Sequence, residues 1–274
     1  MHPPPLVDIG VNLTHESYDA DRAEVLARAH AAGVQQLLIT GTSLAISQRA
    51  ITLAESYPGQ CYATVGVHPH HASELTDEAH APLRALLQAP CVVALGECGL
   101  DYYRDYSPRA AQRLAFEWQL SLAIEQKKPL FLHQRDAHAD FLSMLSDVVK
   151  DLPHAVAHCF TGTVDEAEAY LALGLSIGLT GWICDERRGA HLLAVARRIP
   201  ADRLLLETDG PYLLPRTLRP KPSSRRNEPS YLPEVCRVVA GARGETPDAV
   251  ARCTTDNARR LFSLPAISEK VLDL

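Results

Sequence analysis

Short runs rich in aliphatic and β-branched residues recur along this chain at a nearly regular interval, and this recurrence constrains the fold most strongly. They begin near Leu6, Val34, Cys61, Cys91, Pro129, Ala155, Leu175 and Leu204, between 20 and 38 residues apart. The stretches between them are rich in Ala, Leu, Glu and Arg, as helices are. One βα unit needs about 30 residues, and eight units fill a (β/α)8 barrel of about 250. We therefore predict an α/β fold, a (β/α)8 TIM barrel formed as one domain by residues 1–274.

The alternative architecture is a doubly wound open sheet. We rank it lower because no Gly-x-Gly-x-x-Gly motif follows the first run.

Composition excludes several classes of protein. With 27 basic and 33 acidic residues the net charge is −6, so a bulk basic coat protein for nucleic acid is excluded and any such site must be a local patch. Seven cysteines without a Cys-x-x-Cys pair predict a reduced, cytoplasmic protein. We find no export signal and no apolar stretch of about 18 residues, so we expect no membrane association. No protein partner is implied.

Potential metal ligands stand at the ends of four predicted strands: Glu97, His133, His158 and Asp209. Active sites of such barrels lie at the carboxyl ends of the strands, and side chains alternate along each strand. The faces expected to point inward are Val93/Leu95/Glu97, Phe131/His133/Arg135, Val156/His158/Phe160 and Leu205/Glu207/Asp209. Two imidazoles and two carboxylates meeting at one point predict a divalent-metal site. A lone histidine at a strand end is more often a hydrogen-bonded core residue, so the prediction depends on the joint pattern.

Other polar residues near these strand ends suggest supporting roles. His68 ends the third strand and is a candidate catalytic group, with a structural hydrogen bond as the alternative. Glu207 lies one pleat deeper than Asp209, which suits a residue that supports a metal ligand. Asp8 is expected to orient its neighbours, and Glu228 to reach the metal or its water.

A basic, proline-rich segment follows the eighth strand. Residues 210–227 contain Arg216, Arg219, Lys221, Arg225 and Arg226 but no acid. Arg216, Arg225 and Arg226 are therefore candidates for binding phosphates, a salt-sensitive interaction; a solvated loop is the alternative.

Aromatic residues also follow the strand ends: Tyr102, Tyr103, Tyr106, Trp182 and Tyr212. Tyr102 and Tyr212 are candidates for stacking on bases, an interaction of about 1–3 kcal/mol each. Ordinary packing of the barrel rim is the alternative.

Several motifs together carry a resemblance to a known family. They are Asp8-Ile-Gly-Val-Asn12-Leu-Thr, Val65-Gly-Val-His68-Pro69, Gly96-Glu97-Cys-Gly-Leu-Asp101-Tyr, Leu132-His133-Gln-Arg135-Asp136-Ala, His158-Cys-Phe160-Thr-Gly162, Glu207-Thr-Asp209-Gly-Pro-Tyr and Arg226-Asn-Glu228-Pro. From about Leu6 to Phe262 the chain resembles the TatD family of metal-dependent deoxyribonucleases. The resemblance implies an amidohydrolase-type barrel that cleaves phosphodiesters with divalent metal held by Glu97, His133, His158 and Asp209.

The first strand departs from the wider family. Most members carry Asp-x-His-x-His there, with both histidines on metal, whereas this chain has Gly10 and Asn12. The first metal position would then rest on Glu97 and Asp209, and we expect one tight and one weak site. The run DIGVNLT resembles the branch of the family that is a Mg²⁺-dependent 3′→5′ exonuclease on single-stranded DNA and RNA, with an implied role in DNA repair. The ligand types alone favour Zn²⁺ or Mn²⁺.

We therefore predict a metal-dependent 3′→5′ exonuclease in which Asp209, Glu97 and His68 are catalytic. A bound metal lowers the pKa of water toward about 7, and Asp209 is placed to take its proton. One alternative is another hydrolase on the same barrel, such as a deacylase of mischarged aminoacyl-tRNA or a small ester or amide hydrolase. A non-catalytic, metal-containing binding protein is the other.

Overall fold

Eight parallel strands, paired in chain order from β1 to β8, form the wall of a barrel in a computed structural model that describes residues 3–267. The strands are β1 (Leu6–Val11), β2 (Val34–Ile39), β3 (Cys61–Val65), β4 (Val92–Asp101), β5 (Leu130–Arg135), β6 (Ala155–Ala157), β7 (Ser176–Leu179) and β8 (Leu204–Leu206). The helices are α1 (Arg22–Ala31), α2 (Leu44–Ser56), α3 (Asp77–Leu86), α4 (Arg109–Gln126), α5 (His138–Val148), α6 (Val164–Ala172), α7 (Leu192–Arg198), α8 (Leu232–Arg243) and α9 (Pro247–Phe262).

Backbone hydrogen bonds join the segment after β8 to β1. The Asp209 N–H donates to the Gly10 carbonyl at 2.8 Å, and the Asn12 N–H donates to the Gly210 carbonyl at 2.7 Å. The predicted (β/α)8 barrel is confirmed. The end of the sequence, residues 267–274, for which we expect a short appended helix or a frayed end, lies outside the described residues except for Ile267.

Two apolar layers hold the barrel together. The larger layer lies between the sheet and the surrounding helices. The smaller one fills the interior, where Ile9, Phe131, Val156 and Leu205 meet Phe262 from α9. Since α9 also bonds to the start of β8 through Asn257, it covers the amino-terminal end of the barrel and leaves the carboxyl ends of the strands to form the site.

The predicted inward face of β4 is wrong in part. Ala94 belongs to the interior cluster, whereas Leu95 packs in the outer layer. A register shift between Gly96 and Cys98 then interrupts the alternation. Glu97 consequently enters the site although it is out of phase with Ala94.

The basic, proline-rich segment after β8 is a loop. Between β8 and the short 3-10 turn Pro229–Tyr231 the chain forms neither helix nor strand. Among the helices of residues 3–267, none combines the length and the apolar content needed to cross a bilayer.

Candidate active site

Glu97 is the residue on which the predicted site converges. Its Oε1 lies 2.6 Å from Nε2 of His158, 2.9 Å from Nδ1 of His133 and 3.3 Å from Nε2 of His68. Burial alone would raise the pKa of Glu97, but the three imidazoles outweigh it and hold that pKa well below its ordinary value. Three imidazoles, from the ends of three other strands, therefore surround one carboxylate oxygen.

His158 lies between two carboxylates. Its Nε2 faces Glu97, and its Nδ1 is 3.2 Å from Oε2 of Glu207. Burial opposes charge on this imidazole, yet Glu97 and Glu207 together raise its pKa well above the ordinary value. Glu207 is fully buried, and its Oε1 accepts the backbone N–H of Cys159. As its position in the sequence suggests, Glu207 contacts a predicted metal ligand.

Two glycines leave room for the Glu207 carboxylate. A Cβ on Gly10 would lie 2.6 Å from Oε2 of Glu207 and 2.9 Å from Cζ of Phe131, and a Cβ on Gly178 would lie 2.4 Å from Oε1. The space beside Gly10, where the Asp-x-His-x-His pattern has its first histidine, is thus occupied by Glu207.

Asp209 follows β8 in a left-handed backbone conformation (φ +53°), which aspartate tolerates better than most residues. The side-chain amide of Asn12 donates to its Oδ1 at 3.0 Å. Burial raises the pKa of Asp209 to about 7; the His158 charge opposes this rise, and the Glu97 charge adds to it. Asn12 therefore uses its amide nitrogen to orient Asp209, a role that its residue type alone did not reveal.

His68 is placed to donate a hydrogen bond to Glu97. Its Nδ1 accepts the backbone N–H of His70 at 3.1 Å. Burial lowers its pKa to about 4, so the ring is neutral and carries its one proton on Nε2, toward Glu97. The ligand atoms of His68, Glu97 and His133 do lie within 4.8 Å of one another, close enough to hold a metal. A metal bound at Nε2 would displace this proton, so His68 can either donate to Glu97 or join the candidate ligands.

Asp101, to which the sequence reasoning gave no role, lies beside the cluster. Its Oδ2 is 2.8 Å from Nε2 of His70 and 3.4 Å from Nε2 of His133. Burial would raise the pKa of Asp101, but these two imidazoles outweigh it and hold the pKa well below its ordinary value. Asp101 is four residues beyond Glu97 on β4. Because side chains alternate along a strand, this even spacing could have indicated that Asp101 lies on the same face as Glu97.

The donor set fits a divalent cation. Nε2 of His133 is buried and forms no well-aligned hydrogen bond within residues 3–267; it faces Oδ2 of Asp101 at 3.4 Å. His158 faces a carboxylate oxygen at both ring nitrogens. A neutral imidazole carries only one N–H, so this arrangement requires either a second proton on the ring or a metal ion at one nitrogen. Imidazole and carboxylate are common ligands of Zn²⁺ and Mn²⁺. Glu97, His133 and His158, with Asp209 beside them, can therefore supply ligands.

The basic loop is partly neutralised by acids from other segments. Arg216 lies 3.2 Å from the buried Asp185, and Arg226 pairs with both oxygens of Asp21 at 2.7 Å. Arg225 is exposed and forms no ion pair with the described residues. This arrangement indicates structural roles for Arg216 and Arg226 and leaves Arg225 accessible to a phosphate.

The aromatic candidates differ in their availability. The Tyr102 hydroxyl donates to Asp140 on α5 at 2.7 Å, and its ring packs against the outer layer, so its position corrects the expectation of a free stacking surface. Tyr212, which the sequence also suggested, is 52% exposed. Glu228 is likewise bound elsewhere, because both of its carboxylate oxygens accept from Arg28.

A comparison with protein families decides the assignment. The model of TatD related DNase matches residues 7–263. This chain belongs to that family. The TatD-related relatives include proteins named 3′-5′ ssDNA/RNA exonuclease TatD from Erwinia billingiae and Pectobacterium carotovorum. They are 57% and 52% identical over 95% and 94% of this chain, and the matches cover 100% of each relative.

Solved structures agree with this TatD assignment. The TatD homologue YJJV from Escherichia coli K12 matches with a TM-score of 0.87 and 29% identity, covering 95% of this chain and 98% of that one. A TatD family hydrolase from Entamoeba histolytica matches with a TM-score of 0.86 and 26% identity, covering 97% and 100%. The predictions of a TatD-family chain similar to bacterial TatD, of a barrel and of a hydrolytic nuclease are confirmed.

Proposed function

We propose that this TatD-family nuclease removes nucleotides from the 3′ end of single-stranded DNA and RNA with the help of a divalent metal. The observation that carries the proposal is the convergence of His68, His133 and His158 on one oxygen of Glu97, beside Asp209 at the mouth of the barrel. The relatives at 52–57% identity, named for this activity, support the choice of substrate.

The roles of the residues follow from their contacts. A divalent cation, when bound, makes water more acidic and offsets charge on the phosphate oxygens. Glu97, His133, His158 and Asp209 would hold it. Oδ1 of Asp209 accepts a hydrogen bond from Asn12, and Oδ2 makes none within residues 3–267. We therefore assign Oδ2 to take the proton of the attacking water.

We propose Mg²⁺ as the working ion, with Zn²⁺ or Mn²⁺ able to bind the imidazole-rich ligand set. One site is tight and the second is weak, because Gly10 supplies no ligand and Asn12 directs its amide nitrogen to Asp209. Counting and identifying the bound metal by elemental analysis, before and after dialysis against EDTA, tests this assignment.

The test of the activity is a time course with two labelled oligonucleotides. A single-stranded substrate labelled at its 5′ end should give a ladder that shortens from the 3′ end with Mg²⁺ and stays intact with EDTA. The same oligonucleotide carrying a 3′-terminal phosphorothioate linkage is the matched control and should resist removal of the first nucleotide. An intact substrate together with cleavage of an acyl ester or amide would instead favour the other hydrolase class.

We propose that residues 1–274 act as one domain in the cytoplasm, as the cysteine pattern predicts. Within that domain, Arg225 and Tyr212 are the accessible candidates for contacting the substrate. A role in DNA repair also remains a prediction.

A further inference from the structure

An arginine lies between two aromatic rings at the mouth of the barrel, outside the set of residues that the sequence assigned to the substrate. The Arg135 guanidinium carbon is 4.1 Å from the ring centre of Tyr103 and 5.9 Å from that of Trp182. Arg135 ends β5 and shares a face with His133, two residues earlier on the same strand. The aromatic group therefore adjoins the candidate metal ligands.

Backbone and side-chain contacts fix this group in place. The Tyr102 N–H donates to the Arg135 carbonyl at 2.9 Å, which ties the segment carrying Tyr103 to the end of β5. The Trp182 N–H donates to the Thr180 hydroxyl oxygen at 3.2 Å at the start of the 3-10 turn after β7. The rings and the guanidinium are thus positioned by the chain at the ends of β4, β5 and β7.

A second cation contacts the Trp182 ring. Arg188 lies 4.6 Å from the Trp182 ring centre, and its Nε donates to the buried Asp185 at 3.0 Å. Arg188 is therefore balanced by an acid.

Arg135 differs from Arg188 because it makes no ion pair in the part of the chain that the structure describes. It is half-buried, so aromatic rings have replaced part of the water around its charge. The faces of aromatic rings attract a cation but leave its N–H donors available for acceptors such as phosphate. Tyr103 is 56% exposed, although the Arg104 guanidinium carbon also lies 5.7 Å from its ring centre, farther away than that of Arg135.

We propose that Tyr103, Arg135 and Trp182 form a nucleotide subsite, in which a base stacks on the aromatic rings and Arg135 binds the adjoining phosphate. The ligand is one nucleotide of a single strand, because only an unpaired base exposes a face for stacking. This inference rests on the proposed nuclease function and adds to it the place where the substrate is held beside the metal ligands.

The first experiment reads the subsite directly through Trp182. The chain has two tryptophans, Trp118 and Trp182. Trp118 lies on helix α4 and stacks on His80 of helix α3. A Trp118→Phe protein thus reports Trp182 alone. In EDTA and low salt, an oligothymidine should quench this fluorescence saturably, whereas an abasic oligonucleotide of the same length and charge should bind more weakly and quench little. Equal quenching by both, or none by oligothymidine, would overturn the proposal.

The second experiment separates stacking from charge with matched variants. Tyr103→Leu should weaken oligothymidine binding about 5-fold or more, the effect of losing one stacked base. Tyr106→Leu is the control: this tyrosine is also exposed but packs against His70 rather than Arg135, so its change should have a smaller effect. Arg135→Gln should weaken binding of both oligonucleotides and reduce its dependence on salt, and Arg135→Lys should restore only part of the loss. Equal affinities for parent and Tyr103→Leu would refute the stacking surface.

The two proposals fail in different ways. If the parent protein does not shorten oligonucleotides with any divalent metal, the proposed function is wrong whatever the binding results. If the parent shortens them normally while Trp182 and Tyr103 give no signal, the nuclease assignment stands and the subsite is wrong.

Discussion

Adding one methyl group at Gly10 should disable the site without touching a proposed ligand. The new Cβ would lie 2.6 Å from Oε2 of Glu207, whereas ordinary contacts begin near 3.4 Å, so the carboxylate must retreat by roughly 0.8 Å. It cannot retreat freely, because its other oxygen, Oε1, accepts the backbone N–H of Cys159. The 3.2 Å contact with His158 is the one that this displacement would break.

The expected magnitudes follow from these contacts. Forcing a methyl group into a packed interior costs about 1–3 kcal/mol of unfolding free energy. Losing the group that orients a metal-binding histidine typically lowers metal affinity or activity about 10–100-fold. Gly10→Ala should therefore show both effects, and Gly178→Ala should reproduce them from the other side of Glu207.

Urea unfolding and metal-dependent cleavage of a single-stranded oligonucleotide measure the two effects. Gly241→Ala is the matched control, since that helical glycine has open space around its Cβ; it should stabilise the protein by about 0.5–1 kcal/mol and leave cleavage unchanged. A Gly10→Ala protein with metal affinity and kcat/KM within two-fold of the parent would refute the reasoning.

Four further variants test the site and its surroundings. Glu97→Ala should abolish cleavage while circular dichroism shows the fold retained. Activity within a few-fold of the parent would contradict the proposed metal centre. Arg225→Ala should leave stability unchanged and reduce the salt dependence of oligonucleotide binding by about 0.7 in log–log slope, whereas Arg226→Ala should mainly lower stability. Glu228→Gln should lower unfolding free energy by about 1–3 kcal/mol at pH 7. Burial raises the pKa of Glu228, but Arg28 outweighs it and lowers that pKa from its ordinary value of 4.5. The stabilisation is therefore present above pH 4.5, and urea titrations should show it lost as pH falls through the lowered pKa.

Positions along the barrel were largely predictable because each βα unit repeats one local pattern. All eight predicted strand starts lie within a residue of the observed strands, and three of the four predicted ligands meet at one oxygen. The predicted face of β4 failed because a register shift at Gly96 is set by pairing with β5, which no alternation within β4 can reveal.

The spacing of the arginines in the sequence did not predict which of them are already paired with an acid. The loop after β8 contains no acid, so its arginines looked available in the sequence. Asp21 and Asp185, from distant segments, pair with Arg226 and Arg216. The charge of the segment in the sequence therefore overstated the number of arginines that are free to bind a phosphate.

The sequence alone determined the barrel and the residue types at its mouth, because hydrophobic periodicity and strand alternation are local properties of the chain. Only the tertiary structure decided which polar groups meet: that Asn12 orients Asp209, that Glu207 fills the space beside Gly10, and that Arg135 stands between two rings without an acid partner among the described residues. These contacts join residues up to about 200 positions apart, and the closure of the sheet into a barrel is what brings them within bonding distance.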